Sequence, residues 1–115
     1  MFLVFDTETT GLPKKWNAPV SDSDNWPRCI QLAWQLHDVK GDLISNHSYL
    51  IKPDNFTIPF EAEKIHGIST DLASQIGKNI KDVLELFVQD YNKSGFLVGH
   101  NVKFDINIVG AELFR

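Results

Sequence analysis

The chain has 115 residues, a length that suits a single domain. Its composition is that of an ordinary globular protein, with 43% hydrophobic and 23% charged residues, which argues against a disordered chain. The net charge of −4 argues against binding of nucleic acid through a broad basic surface. It is compatible with an enzyme that meets nucleic acid through bound metal ions, because the metals supply the local positive charge.

The sequence does not favour a membrane or secreted protein. No apolar run approaches the length needed to span a bilayer, and the first residues, MFLVFD, lack a basic segment and a cleavage site. The one cysteine, Cys29, cannot form an internal disulfide. We therefore expect a cytoplasmic protein without membrane contacts.

The first part of the chain predicts three strands of one sheet. Residues 2–6 form an apolar run that ends in charge, which is typical of a short buried strand. A loop rich in Pro, Asn, Asp and Ser follows at 13–28. Residues 29–37 alternate between apolar and polar side chains and predict a half-buried strand. A turn at 38–42 leads into a returning strand at 43–51, so we expect these three strands to be antiparallel.

The rest of the chain predicts helices around a fourth strand. Short helices are expected at 60–66 and 71–75, and a longer amphipathic helix at 80–93. Residues 96–99 predict a short, buried strand. A last helix begins near Val102 and has no stop signal, so we expect the 115-residue chain to be the N-terminal portion of a single domain, truncated within this helix.

Two carboxylates follow the first apolar run. Side chains at i and i+2 of a strand face the same way, so Asp6 and Glu8 are expected on one face at the strand's carboxyl end, where ligands of open α/β sheets tend to bind. Close carboxylates repel unless a cation lies between them, and Mg²⁺ prefers oxygen ligands. Alone, this pattern is more often a solvated strand end, but Gly11 would let the backbone approach a ligand closely.

A second motif follows the fourth predicted strand. In the stretch LVGHNVKFDINI, Asp105 lies in the first turns of the last helix and would face back over the sheet. Taken singly, Asp105 is explained at least as well by complementarity to the helix dipole. Turn and capping chemistry explains His100 and Asn101 in the same way. The combination of the two motifs decides between these interpretations.

The stretch FDTETTG, followed near the end of the chain by HNVKFD, resembles the DEDD exonucleases. The likeness is greatest to the epsilon-type proofreading 3′→5′ exonucleases of bacterial replicative polymerases, which carry a His-Gly-Ile element similar to the EAEKIHGIS seen here. The chain is also similar to exonuclease modules attached to polymerase III catalytic subunits. The resemblance implies an α/β, ribonuclease-H-like exonuclease fold, with a mixed sheet whose first three strands are antiparallel, flanking helices and a missing C-terminal part.

By this resemblance, the acidic side chains hold two Mg²⁺ or Mn²⁺ ions. Asp6 would bridge both ions, Glu8 would bind one and orient the attacking water, and Asp105 would support the other. Two such ions stabilise the attacking and leaving oxygens of a phosphoryl displacement. The implied reaction hydrolyses the terminal phosphodiester at the 3′ end of single-stranded DNA and releases a nucleoside 5′-monophosphate. The implied partner is the catalytic subunit of DNA polymerase III, in the same chain or a separate one.

The resemblance also implies a pocket for the 3′-terminal nucleotide. Its members would be Thr10, Gly11, Leu12, Glu61, Ile65, His66, Asn101 and Phe104. His66 is equally explained as the last residue of a helix that is capped by Gly67. Phe104 would stack against a base or pack in the core, and both interpretations stay open.

The loop at 13–28 is also open to two interpretations. It carries two tryptophans, Trp16 and Trp26, which we expect to be exposed. They either fold the loop down onto the domain or form a platform for unpaired DNA. Lys14, Lys15 and Arg28 either contact phosphates or belong to a solvated loop.

Two other functions fit the same motifs. One is an RNA-trimming exonuclease of the same fold, because such an enzyme would use the same metals and the same in-line attack. The other is a non-catalytic interaction module attached to a polymerase. The presence of Asp6, Glu8 and Asp105 argues against this second alternative.

Part of the implied site is absent from the sequence. The family's third motif supplies a fourth acid and, shortly before it, a histidine that acts as general base. After Asp105 only Glu112 follows, and all 4 histidines come earlier in the chain. We therefore predict that the 115-residue chain is inactive or nearly so in an assay with a labelled single strand and Mg²⁺ or Mn²⁺. Robust trimming would contradict this prediction.

Overall fold

The computed structural model describes all 115 residues and contains one 4-stranded sheet with four helices. The strands are β1 (Phe2–Thr9), β2 (Cys29–His37), β3 (Leu43–Leu50) and β4 (Phe96–Val98), and the helices are α1 (Phe60–His66), α2 (Thr70–Ile76), α3 (Ile80–Lys93) and α4 (Val102–Phe114). The strand order is β3-β2-β1-β4, with β1, β2 and β3 antiparallel and β4 parallel to β1. The predicted mixed sheet is confirmed. No helix is both long and apolar enough to cross a membrane.

β1 lies inside the sheet, and its side chains alternate between the two faces. Leu3, Phe5 and Thr7 are buried on one face, whereas Asp6 and Glu8 lie on the other. The strand is longer than predicted, because its antiparallel ladder with β2 continues to the end of β1. Both carboxylates therefore lie within the ladder, where the neighbouring strand fixes their backbone.

The main hydrophobic core lies between the sheet and helices α3 and α4. β2 contributes Leu32, Trp34 and Leu36, as its alternating pattern predicted. The helices contribute the apolar side chains of Val83, Leu84, Phe87, Ile108, Val109 and Ala111. This packing brings α4 alongside β1 and β2.

A second, smaller core holds α1 and α2. Its buried members are Ile30, Ile58, Ala62, Ile68 and Ala73. α1 ends at Gly67, whose φ of 73° is a left-handed conformation that favours glycine. Ser69 and Asn79 accept hydrogen bonds from backbone N–H groups at the starts of α2 and α3. Gly67 therefore fixes where α1 ends and where His66 lies, and the two caps fix where α2 and α3 begin.

The strand at 96–99 is predicted to be buried, and this prediction is wrong. β4 is a three-residue edge strand that pairs only with β1. Leu97 packs against the main core, but Phe96 and Val98 are exposed on the opposite face. A continuous apolar run suggested burial on both faces, whereas the helices cover only one face of this strand.

The expectation that both loop tryptophans are exposed is right for one and wrong for the other. Trp16 is 51% exposed. Trp26 is only 3% exposed and belongs to the main core, and its Nε1–H donates to the carbonyl of Pro19 (3.0 Å). A buried indole keeps its N–H satisfied in this way. Trp26 therefore folds the loop down onto the domain.

Asp90 of α3 is a buried carboxylate that links this helix to the sheet. Its Oδ2 accepts hydrogen bonds from Trp34 Nε1 (2.9 Å) and Ser45 Oγ (2.8 Å). The Lys93 ammonium and the His47 ring each lie 3.9 Å from the carboxylate oxygens. Burial raises the pKa of Asp90, but the two hydrogen bonds and the neighbouring charges outweigh burial, so the pKa is lowered overall.

We predict that Asp90→Ala lowers the free energy of unfolding by about 1–3 kcal/mol, because the Trp34 N–H loses a buried partner. A carboxyl with a lowered folded-state pKa stabilises the fold above its unfolded pKa of about 3.9 and loses that contribution as pH falls through the folded value. Urea unfolding at neutral and acidic pH should show the difference from wild type shrinking in acid. The control is Glu85→Gln, which alters an exposed charge on the same helix. If the difference in unfolding free energy between Asp90→Ala and wild type stays constant in acid, this account is contradicted.

Candidate active site

The side chains of Asp6 and Glu8 are two carboxylates near the carboxyl end of β1 that have no partner within the chain. They lie on the same face of the strand, as the i, i+2 spacing predicted. Neither side chain accepts a hydrogen bond or forms an ion pair with any other residue of the chain. Both groups are acceptor-only and negatively charged when ionised, so a divalent cation that prefers oxygen ligands would supply the partner that the chain does not.

Asp105 reaches the same strand from the first turn of α4. It is 2% exposed. Its Oδ1 accepts hydrogen bonds from the hydroxyl (2.6 Å) and the backbone N–H (3.3 Å) of Thr7. Its Oδ2 is buried and has no hydrogen-bond partner. An orphaned buried carboxylate oxygen is unusual in a folded protein and points to a functional role.

Thr7 belongs to the candidate site, although the sequence motifs did not single it out. It stands between Asp6 and Glu8 but faces the opposite side of β1, where its hydroxyl meets Asp105. The signal was available, because alternation along the strand places the middle residue of the Asp-Thr-Glu triplet toward the helix that carries Asp105.

The charge state of Asp105 reflects a crowded acidic environment. Burial raises its pKa most, and the negative charges of Asp6 and Glu8 raise it further. The hydrogen bonds from Thr7 act in the opposite direction, because they favour the ionised form, but the pKa stays above its usual range. No basic side chain compensates for the three acids.

The donor set fits a hard divalent cation, but the ligands are not preassembled. No group of three His, Cys, Asp or Glu side chains lies close enough together to hold a metal ion. Asp6 and Glu8 share one face, and Asp105 is tethered to Thr7 on the other. Asp6 and Glu8 keep their carboxylate oxygens unpaired, whereas the one unpaired oxygen of Asp105, Oδ2, is buried.

A cavity of about 410 Å³ lies beside Glu8. The predicted nucleotide-pocket residues that line it are Thr10, Gly11, Leu12, Glu61, Ile65, His66 and Phe104. Asn101 does not line this cavity; it precedes α4 in a left-handed conformation with φ 57°. Four parts of the chain thus meet around this cavity: β1, the segment after it, α1 and the start of α4. All residues of the predicted nucleotide pocket except Asn101 line it.

His66 both lines the cavity and fixes the position of α1. Its Nδ1 accepts a hydrogen bond from the backbone N–H of Ile68 (3.1 Å), which requires an unprotonated Nδ1. The proton of the neutral ring is therefore on Nε2, which donates to the carbonyl of Thr9 (3.2 Å). His66 is the last residue of α1, as one interpretation predicted, and it also ties this helix to the end of β1; its role in a nucleotide pocket stays a prediction.

Asp6 also borders a second groove, of about 390 Å³, on the uncovered face of the sheet. Its polar walls include Gln35, Asn46, Ser48 and His100. His100 is exposed and makes no hydrogen bond within the chain. Glu8 and Asp6 therefore lie on the same face of β1 but border different concavities.

Glu112 is the only acid after Asp105, and it serves as a structural anchor. Its carboxylate lies 3.0 Å from Arg28 Nε and 2.6 Å from Arg115 Nη1, and it accepts a hydrogen bond from the backbone N–H of Cys29 (3.1 Å). The Cys29 thiol is fully buried, and burial together with the Glu112 charge raises its pKa well above the usual range. Neither group is available for chemistry at the site.

A sequence profile of the RNase_T exonucleases matches residues 3–115. The chain belongs to the RNase_T exonuclease family. The epsilon subunit of DNA polymerase III from Treponema pallidum (strain Nichols) is 34% identical to this exonuclease chain over 112 residues, which make up 97% of this chain and 46% of that protein. The PolC-type DNA polymerase III of Streptococcus pyogenes serotype M2 (strain MGAS10270) is 33% identical over 114 residues, or 99% of this chain and 7% of that protein.

Solved exonuclease structures share the fold. Escherichia coli exonuclease I in complex with a dT13 oligonucleotide superposes with a TM-score of 0.73 at 24% identity, covering 94% of this chain and 22% of that chain. Exonuclease I from Methylocaldum szegediense superposes with a TM-score of 0.73 at 22% identity. The match covers 93% of this chain and 22% of that chain. This likeness confirms the expected ribonuclease-H-like exonuclease fold. The chain spans less than half the length of each of these proteins.

We predict that Asp105→Asn stabilises the metal-free protein at neutral pH. A carboxyl with a raised folded-state pKa costs stability as pH rises through its unfolded value of about 3.9, and the cost is complete above the folded value. Asparagine removes the charge and keeps an oxygen that accepts from Thr7. Urea unfolding in EDTA should give a higher midpoint for the variant near neutral pH and a smaller difference in acid.

Glu112→Gln provides the matched control for this experiment. Glu112 is a buried acid on the same helix, but it is paired with Arg28 and Arg115. Its neutralisation should therefore destabilise the protein, by about 3 kcal/mol if both guanidinium groups lose their compensation. A destabilised Asp105→Asn variant would contradict the assignment of Asp105 as an uncompensated charge.

Proposed function

We propose that this chain carries the nucleotide pocket and the metal-binding carboxylates of a 3′→5′ exonuclease that trims single-stranded DNA. The observation that carries the proposal is the position of Glu8, an unpaired carboxylate in the wall of a cavity that Gly11 and His66 also line. The polymerase III relatives and the oligonucleotide held by exonuclease I support DNA as the substrate. The function proposed is proofreading beside the polymerase III catalytic subunit.

The carboxylates around β1 would hold two Mg²⁺ or Mn²⁺ ions. When bound, the ions stabilise charge on the attacking and leaving oxygens of the terminal phosphodiester. The ladder between β1 and β2 keeps Asp6 and Glu8 at fixed positions. Thr7 holds one oxygen of Asp105, and the other oxygen, which is buried and has no partner, would support an ion.

The cavity beside Glu8 would hold the terminal nucleotide. Leu12 and Ile65 are strongly exposed apolar side chains in its lining, which suits contact with the face of a base. His66 ties the two walls together through the carbonyl of Thr9. A pocket that is already formed loses little entropy on binding, so its contacts contribute more of their energy to affinity.

We further propose that the fourth acid and the general base come from outside residues 1–115. Glu112 is engaged with two arginines. Of the 4 histidines, His37, His47 and His66 are hydrogen-bonded within the chain, and His100 alone is not. If the 115-residue chain does trim DNA, His100 is the base to test first, because it lines the groove that contains Asp6.

We predict that Mn²⁺ stabilises the full-length protein and that Asp6→Ala abolishes this effect. A cation that binds only the folded state adds about 2.7 kcal/mol at a concentration of 100 times its Kd. Thermal unfolding with Mn²⁺ and with EDTA measures the effect. Asp54→Ala removes an exposed carboxylate outside the site and should keep the full Mn²⁺ response.

The same variants test the activity. Asp6→Ala should reduce trimming of a labelled single strand by about 100-fold or more, because the metals are expected to contribute several kcal/mol to the transition state. DNA and RNA oligonucleotides of matched sequence distinguish proofreading from RNA trimming, and faster cleavage of RNA would favour the second. A protein that neither binds Mn²⁺ nor cleaves either substrate would be an interaction module instead.

A further inference from the structure

The loop between β1 and β2 places an exposed indole beside the nucleotide cavity. Trp16 is 51% exposed, whereas the other two tryptophans, Trp26 and Trp34, are 3% and 2% exposed. The Trp16 ring packs against Phe104, with ring centroids 5.5 Å apart and planes tilted by 50°. Phe104 is itself part of the cavity lining. The free face of Trp16 therefore lies one side chain away from the space assigned to the terminal nucleotide.

The backbone around Trp16 is held in place by a buried amide. Asn25 is 6% exposed, and its side chain accepts from the Lys15 N–H (2.6 Å) and donates to the Lys15 carbonyl (2.9 Å). The Asn25 carbonyl also accepts from the Lys14 N–H (3.2 Å). Because the loop is fixed immediately before Trp16, a ligand that stacks on the indole has little loop motion to arrest.

The segment that carries Trp16 is locally basic in an acidic protein. Lys14 and Lys15 are exposed, and no acidic residue occurs between Glu8 and Asp22. Neither lysine forms a salt bridge within the chain. The indole is thus preceded by two free ammonium groups, which is the combination of aromatic face and positive charge that binds single-stranded nucleic acid.

Packing of the loop does not account for the exposed position of Trp16. Trp26 is the buried indole that folds the loop onto the core, and the Asn25 side chain fixes its turn. Arg115 also donates to the carbonyls of Ser23 and Trp26. The loop is therefore anchored independently of Trp16, whose half-exposed ring is free for another role.

We propose that Trp16, with Lys14 and Lys15, forms a second nucleotide subsite for single-stranded DNA. The base next to the terminal nucleotide stacks on the Trp16 indole, and the lysines contact the phosphates that follow. The subsite rests on the proposed exonuclease function. It acts only on substrates longer than one nucleotide, which separates its test from a test of the reaction itself.

Intrinsic fluorescence tests the stacking without any chemistry. Full-length protein in EDTA is titrated with a short oligodeoxythymidylate, and binding is followed in parallel by the anisotropy of a labelled oligonucleotide. Stacking should quench the emission of wild type, because the exposed Trp16 is the indole within reach of a base. In Trp16→Phe the remaining emission, which includes that of the buried Trp26 and Trp34, should not respond. Quenching that persists in Trp16→Phe, or binding without quenching in wild type, would overturn the subsite.

Steady-state kinetics then separates the subsite from the catalytic centre. Trp16→Ala should raise KM for an oligodeoxythymidylate by about tenfold or more, the loss expected for one stacked base. The hydrolysis of thymidine 5′-monophosphate p-nitrophenyl ester, which occupies only the terminal site, should keep its kcat and KM. Trp16→Phe should restore most of the oligonucleotide affinity. Tyr91→Ala, which removes an exposed aromatic of α3 outside the cavity, should match wild type on both substrates.

The outcomes distinguish the two proposals. If Trp16→Ala impairs both substrates equally, Trp16 has a structural role and the subsite is wrong. If wild type cleaves both substrates and Trp16→Ala changes neither, the subsite is again wrong while the exonuclease function stands. If wild type binds no oligonucleotide and cleaves neither substrate, both proposals fail.

Discussion

The alternation of side chains along β1 is the constraint on which the site depends. Because successive residues face opposite sides of a strand, Asp6 and Glu8 must share one face and Thr7 must occupy the other. The alternation that places Leu3 in the core also places the Thr7 hydroxyl on the side of α4, where it donates a hydrogen bond to Asp105. A one-residue slip of β1 against its neighbours would exchange the two faces and destroy both the core and the acidic site.

Two buried acids on α4 show how a compensated carboxylate differs from an uncompensated one. Glu112 and Asp105 are both almost fully buried on the same helix. Glu112 has two guanidinium groups and a backbone N–H, so its charge is compensated. Asp105 has only neutral donors from Thr7, faces other acids and keeps one oxygen without a partner. Such a residue costs stability in the metal-free state, a cost that is common where a protein binds ions.

The sequence predicted the elements whose signals are local. The alternating pattern of β2, the end of α1 at Gly67 and the clustering of most pocket residues follow from spacing, turn chemistry or motif resemblance. Other features depend on which surfaces meet in three dimensions. These are the burial of Trp26, the exposure of β4 and the separation of Asn101 from the pocket. A loop composition or an apolar run does not encode that information, and a charged side chain such as Glu112 gives no sign of its distant arginine partner, Arg28.

The net charge of −4 limits how this protein can bind a polyanion. Affinity based on many phosphate contacts requires a basic surface and falls steeply with salt. Here the cavity offers apolar and aromatic contacts, with Leu12, Ile65 and Phe104 in its lining, and no lysine or arginine lines it. Under the proposed function, stacking and metal coordination would act on the end of a strand instead of its length. The proposed site would therefore select unpaired termini, because a base within a duplex has no face left to stack on an aromatic side chain.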